Sequence, residues 1–420
     1  MSGEGSISGE SRSEPPIIHC GRGGTLPFVP IPEDAKLSTL LQHYGEEEKI
    51  KGAVTPPIFQ NSLFVFDDSR ELAGYLSDPT IDDPAVYSRI SNPTLEVVEK
   101  KMAMLEGTES AKVFSAGMMA ITAGAMSTLE QGAHVVAIDT NYGPTVSLFG
   151  EYLPRFGVTT TFVDGRNTDE LIEAIKPETK LVYLESPSSA FFRLQDLEAI
   201  AAECRKRGIA TMCDNSYSTP ILQQPSKFGI DMVVHSASKY LGGHSDITAG
   251  VLCASRDRIS TLFKPAGELP LLTGSLAPFS AWLLHRGLRT LQLRVRAHEA
   301  SANRVAEWLS ENPGVDVVHH PSLPGYAQRD LFLKQMRGSG GLFSFEPKRQ
   351  DQEKTFDFVN ALQIFQRGVS WGGYESLVVP MLRQPMDYVE PRNVIRLYCG
   401  LEDPDDLITD LERAFKISGL

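Results

Sequence analysis

Met232-Val233-Val234-His235-Ser236-Ala237-Ser238-Lys239-Tyr240-Leu241-Gly242-Gly243-His244 begins as a short apolar run and ends as a polar turn loosened by two glycines. The apolar part is brief and β-branched, the texture of a strand buried on both faces. Runs of the same kind recur on either side: Val135 to Ile138, Val158 to Val163, Leu181 to Leu184, Ile209 to Cys213 and Gly250 to Ala254. Helix-like segments, Thr168 to Ile175 and Leu197 to Lys206, separate several of them. This alternation predicts βαβ units, hence an α/β fold with a large, mostly parallel sheet covered on both faces. In such sheets ligands sit at the carboxyl ends of the strands, and the turn after Val234 falls at one of them.

Toward the C-terminus, a break near Pro270 to Gly274 precedes a long helical periodicity from Ala277 to Asn312. Beyond Gly338, strand-like Leu342 to Phe345 and Val394 to Tyr398 mix with helix-like Thr355 to Phe365 and Pro404 to Phe415, which predicts a smaller α+β C-terminal domain. Toward the N-terminus, Met1 to Glu14 is rich in Ser, Gly and Glu and reads as a disordered leader, with neither a signal peptide nor a membrane span. Residues up to about Lys51 lack a pattern. The expected division is 1–50 leader and irregular segment, 51–95 an arm, 96–275 the large sheet domain and 276–420 the C-terminal domain.

A chain of 420 residues has room for two or three domains at roughly 150 residues each. Its 41% hydrophobic and 22% charged content is that of an ordinary globular protein. The formal charge of −13 gives no global attraction for nucleic acid or anionic lipid, so neither is an expected partner. Five cysteines (Cys20, Cys204, Cys213, Cys253 and Cys399) are scattered and form no C-x-x-C pair, and the nine histidines lack ligand spacing. They predict reduced thiols of a cytoplasmic protein, no disulfide framework and no metal site.

Lys239, flanked by two serines and followed by Gly242-Gly243, suits a Schiff-base amine, although from position alone a surface loop lysine is the better reading. Asp214 ends the run Ile209 to Met212 and could partner a pyridinium nitrogen, although an Asp there also caps turns. Phe114-Ser115-Ala116-Gly117-Met118-Met119-Ala120 places a Gly where a helix should start, an anion site that many ordinary helices share. Arg396 interrupts Val394 to Tyr398. Its fork suits a bidentate carboxylate, and the other reading is an edge strand with Arg turned to solvent.

Longer strings narrow these readings. Gly52 to Ile58 (GAVTPPI), Tyr87 to Thr94 (YSRISNPT), Ser236 to Lys239, Gly287 to Leu291 (GLRTL) and Gly400 to Asp403 (GLED) occur in this order, and with them the chain resembles the Cys/Met-metabolism family of pyridoxal-phosphate enzymes from about Gly52 onward. The resemblance implies the type I aminotransferase-like fold and pyridoxal 5'-phosphate as cofactor. It implies that Lys239 bonds the cofactor and moves the α-proton, that Asp214 faces the pyridine nitrogen with Ser216 beside it, and that Gly117, Met118, Ser236 and Ser238 hold the phosphate. It implies that Tyr142 stacks on the ring and assists proton transfer, and that Arg396 holds the carboxylate of a small amino-acid substrate. Tyr87 and Arg89 would reach the phosphate of a neighbouring subunit, within a homo-oligomer expected to be a tetramer built from dimers that share active sites.

The reaction within the family is less determined. Ser370-Trp371-Gly372-Gly373-Tyr374-Glu375-Ser376 resembles bacterial cystathionine β-lyases, which places Ser370 and Trp371 at the substrate; Trp371 also reads as a core aromatic. Tyr87 to Thr94 has instead the form of the γ-acting relatives, many of which have Asn where Ser189 stands. Cystathionine β-lyase activity is the expectation, with a γ-lyase or γ-replacement as the alternative.

Overall fold

The computed structural model describes residues 31–32, 34–46, 49–77, 85–264, 267, 271–272 and 274–420. The expected leader, Cys20, Glu47, Glu48, and Pro270 and Thr273 of the break lie outside the described residues. Seven strands form the large sheet: β1 (Ser110–Phe114), β2 (His134–Ile138), β3 (Thr159–Val163), β4 (Thr179–Glu185), β5 (Ala210–Asp214), β6 (Met232–Ser236) and β7 (Gly250–Ala254). Their order is β1-β7-β6-β5-β4-β2-β3, with β7 alone antiparallel to its neighbours. The α/β class and the mostly parallel sheet read from the sequence are therefore present.

Strand residues alternate between two apolar layers, as the pleat requires. Val135, Tyr183, Met212, Val234 and Leu252 pack with Ala120 and Ile121 of the helix Gly117–Met126. Val136, Val182, Cys213, Val233 and Val251 face the opposite layer, with Leu95, Val98 and Met102 of the helix Pro93–Glu106. The latter helix starts where the sequence says it should: Pro93 stands at its first turn and the Asn92 side chain accepts from the Thr94 N–H at 2.9 Å.

A second sheet has the order β10-β11-β12-β9-β8, from β8 (Val315–His319), β9 (Leu342–Pro347), β10 (Gln366–Arg367), β11 (Leu377–Arg383) and β12 (Arg392–Tyr398). The strands β1, β8, β10 and β11 are absent from the sequence reading. Lys112 in β1 and Asp316 in β8 interrupt the apolar runs, and β11 contains Pro380. Pro380 is tolerated because β10 pairs only with Leu377 and Val378, which leaves that stretch of β11 on the sheet edge.

Two helices depart from expectation. The periodicity from Ala277 to Asn312 is two helices, Pro278–Arg289 and Leu291–Ser310, broken at Thr290. The Arg294 guanidinium donates to Gly287 O and Tyr240 O, both at 2.7 Å, and takes a carbonyl at the break. Gly287 must lack a side chain, since a Cβ there would lie 2.3 Å from Gly242 O. The helix read as Thr355 to Phe365 is Gln352–Ala361. Asp410 takes the N–H groups of Gln363, Ile364 and Phe365 before the helix can use them.

The patternless segment before Lys51 contains a helix, Leu37–His43, followed by Glu46 at 4% exposure. Glu46 accepts from Lys101 Nζ (2.6 Å) and Arg289 (2.7 Å) and faces His285 Nε2 (2.7 Å). Burial alone would raise this carboxyl, but hydrogen bonds from His285 and Lys101 and the Lys101 charge outweigh it and bring it down to about 2. We predict that Glu46→Ala, which strands Lys101 without its carboxylate, lowers the unfolding free energy in urea by about 3–5 kcal/mol. Because the folded carboxyl is more acidic than the unfolded one, the Glu46 contribution is complete above the ordinary carboxylate range and lost as pH falls toward 2. The wild type and Glu46→Ala should therefore converge in stability in acid.

Candidate active site

Six strands, all but β7, deliver their carboxyl ends to one edge of the large sheet, and the chemistry collects there. From β1 the chain passes Ser115 and Ala116 into the helix Gly117–Met126, whose start no side chain caps. Gly117 is pressed against the end of β6, since a Cβ on it would stand 2.9 Å from both Cα and Cβ of Ser236. Ser236 N–H donates to Ser216 Oγ at 2.6 Å, and Ser238 Oγ accepts the Ala249 N–H at 2.9 Å. Met118 adjoins the same helix start, with its sulfur 3.8 Å from Thr145 Oγ1.

Asp214, the last residue of β5, accepts the Ser216 N–H at 2.9 Å. Burial raises its carboxyl; the Ser216 hydrogen bonds and the charges of His235 and Lys239 restrain the rise. Glu185, the last residue of β4, is its partner in the strand register. Glu185 accepts from the Tyr142 N–H and from Ser189 Oγ, both at 2.6 Å. Burial, then the neighbouring Asp214, push it up to about 8. The sequence reading did not single out Glu185. Its signal was available in the alignment of two strand-terminal carboxyls, but the register between β4 and β5 is not written in either strand alone.

Lys239 lies just beyond β6. Its Nζ donates to Ser370 Oγ at 2.5 Å and sits 5.6 Å from the centre of the Trp371 ring. Burial, then the nearby Arg396 charge, bring the amine down to about 8. Arg396 is no edge residue: β12 lies between β11 and β9, and its guanidinium donates to Ser370 O at 3.1 Å. Burial, then Arg383, lower Arg396 to about 10, and no carboxylate pairs with it among the described residues. Ser370 holds φ 86°, a region a serine seldom occupies, and so serves both cations at once. Trp371 is half-buried against Tyr240 at 5.2 Å, and lines this site as well as filling volume.

Tyr142 is 47% exposed at the start of the helix Gly143–Ser147. Tyr87 and Arg89 are exposed as well, with the guanidinium 5.3 Å from the Tyr87 ring. Among the described residues, the Tyr87 and Arg89 side chains have no hydrogen bond to the residues gathered around Lys239. The donor set has the chemistry pyridoxal phosphate needs. An uncapped helix start beside two serines can hold a phosphate, a buried acid can partner a pyridine nitrogen, and a depressed amine can bond an aldehyde.

The Cys/Met metabolism PLP-dependent enzyme family matches residues 38–416. The chain belongs to this family. It is thus a pyridoxal-phosphate-dependent lyase of Cys/Met metabolism with the fold of that family. It is 38% identical over 386 residues to an L-methionine gamma-lyase of Porphyromonas gingivalis, covering 88% of this chain and 94% of that protein. A cystathionine beta-lyase of Lactococcus lactis is 35% identical, covering 90% of this chain and 99% of that protein. The metB structure from Corynebacterium glutamicum superposes with a TM-score of 0.83 at 30% identity, covering 92% of this chain and 99% of that one. Among the described residues no helix is long and apolar enough to cross a membrane.

One property of the site can be read in the cofactor-free protein. Labelling of Lys239 by an amine-directed reagent, followed by mass spectrometry, should titrate with a midpoint at about 8. Arg396→Ala removes a neighbouring positive charge and should move that midpoint upward.

Proposed function

We propose that this enzyme is a carbon–sulfur β-lyase that converts L-cystathionine and water to homocysteine, pyruvate and ammonia. The observation that carries this reading is the confinement of Lys239 between the Ser370 hydroxyl and the Trp371 ring. β-Elimination asks the base to remove one proton, at Cα. γ-Elimination asks for a second, at Cβ, and a base with room to travel. A pinned amine beside a large ring suits the first task.

Arg396, unpaired and half-buried, holds the substrate α-carboxylate through its fork. Lys239 takes the Cα proton, and the sulfur departs from Cβ with the electron pair of the C–S bond. When bound, pyridoxal phosphate supplies the sink for the electrons left on Cα. Gly117, Met118, Ser236 and Ser238 form its phosphate cradle, Asp214 with Ser216 faces its ring nitrogen, and Tyr142 covers the ring and assists proton transfer. Ser370 and Trp371 complete the wall around the substrate.

The arm is the element that a neighbouring subunit would cover. Val54 is 80% and Val65 88% exposed, and the arm ends in the exposed pair Tyr87 and Arg89. A homotetramer built from two dimers, with Tyr87 and Arg89 reaching the adjacent phosphate, accounts for both features. The free thiols of Cys204, Cys213, Cys253 and Cys399 suit a reducing compartment, so the cytoplasm is the proposed location.

A γ-lyase is the second reading, favoured by the similarity to the Porphyromonas gingivalis methionine gamma-lyase and by the form of Tyr87 to Thr94. The products decide between them: L-cystathionine should give pyruvate and homocysteine, whereas 2-oxobutyrate and cysteine would establish the γ route. Arg396→Ala should raise KM by about 100-fold, the scale of two charge-assisted hydrogen bonds, while the cofactor absorbance is retained. An unchanged KM would remove Arg396 from the carboxylate role.

A further inference from the structure

Glu185 and Asp214 stand opposite each other at the ends of β4 and β5, each 8% exposed. By strand alternation Glu185 follows Tyr183 and Asp214 follows Met212, so both carboxyls turn to the layer that holds the helix Gly117–Met126. Two carboxyls buried side by side do not both ionise; one keeps a proton. Their surroundings differ. Asp214 has the Ser216 N–H and the charges of Lys239 and His235. Glu185 has the Tyr142 N–H and the Ser189 hydroxyl as hydrogen-bond partners, the Tyr183 phenol two residues back on its own strand, and no cation paired with it among the described residues.

We propose that Glu185 is a positioning residue that works as a neutral acid: it anchors the backbone of Tyr142 and, by keeping the proton of the pair, leaves Asp214 as the ionised partner of the cofactor ring nitrogen. The same carboxyl would thus serve both Tyr142 and Asp214. Ser189 is part of the device, because its hydroxyl at 2.6 Å gives the Glu185 proton or lone pair a fixed counterpart. The role is independent of which carbon loses the leaving group.

Below about 8 Glu185 is neutral; as pH rises past that value a second negative charge appears beside Asp214. Asp214 then binds a proton more tightly and draws it from the ring nitrogen.

The test compares holoenzymes of the wild type, Glu185→Gln and Glu185→Ala loaded with cofactor labelled with 15N at the ring nitrogen. In the wild type the nitrogen signal should sit in the protonated range at neutral pH and move toward the unprotonated range in alkali. Glu185→Gln, a permanently neutral isostere, should keep cofactor affinity within about threefold and abolish that alkaline movement. Glu185→Ala should weaken cofactor binding by at least about tenfold, since Tyr142 loses its anchor. If Glu185→Gln loses the cofactor as Ala does, or shows the wild-type alkaline transition, the neutral-acid role is wrong. Should the Ala variant not fold, the Gln comparison alone decides the matter.

Discussion

Ser370 holds a backbone conformation that L-residues avoid, and the site depends on it. At φ 86° its hydroxyl meets the Lys239 amine while its carbonyl meets the Arg396 guanidinium. The amine comes from the large sheet and the guanidinium from the second sheet, so one strained residue joins the two halves of the site. The strain is held in place from below: the Tyr398 hydroxyl donates to Gly373 O at 2.7 Å, and a Cβ on Gly372 would lie 2.6 Å from the Lys239 backbone. Relaxing Ser370 would turn either the hydroxyl or the carbonyl away, and the amine and the fork would lose their common reference.

Burial is the shared cause of the unusual acidities. It lowers Lys239 and Arg396 and raises Asp214 and Glu185, in each case by making the charged form costlier. A chain with formal charge −13 thereby keeps a pocket of opposite character, in which Lys239 and Arg396 both bond to Ser370 and neither forms a salt bridge among the described residues. Such a pocket attracts an anionic cofactor and an amino-acid carboxylate although the surface as a whole repels them.

Much of this was legible in the sequence because the informative residues are local. A lysine with serines after a buried strand, an Asp at a strand end and a Gly at a helix start each announce themselves within ten residues. What stayed hidden is non-local. Glu46 meets Lys101 across 55 positions and His285 across 239, and nothing near Glu46 marks it as buried. Glu185 before Ser186-Pro187 resembles an ordinary strand end until β5 is laid beside β4. Pro380 masked β11, and the break at Thr290 depends on Arg294 reaching a carbonyl seven residues back. The conformation of Ser370 has no sequence signal, since serine is common where φ is ordinary.

The proposed role of Lys239, to carry the cofactor at the junction of the two sheets, has a direct test. Borohydride reduction of the purified holoenzyme would fix the cofactor to its lysine, and peptide mass spectrometry would locate it. A pyridoxyl-phosphate adduct is expected on the peptide containing Ser236 to Lys239, lost together with the visible absorption band in Lys239→Ala. An adduct on a different lysine, or an unchanged band in that variant, would contradict it.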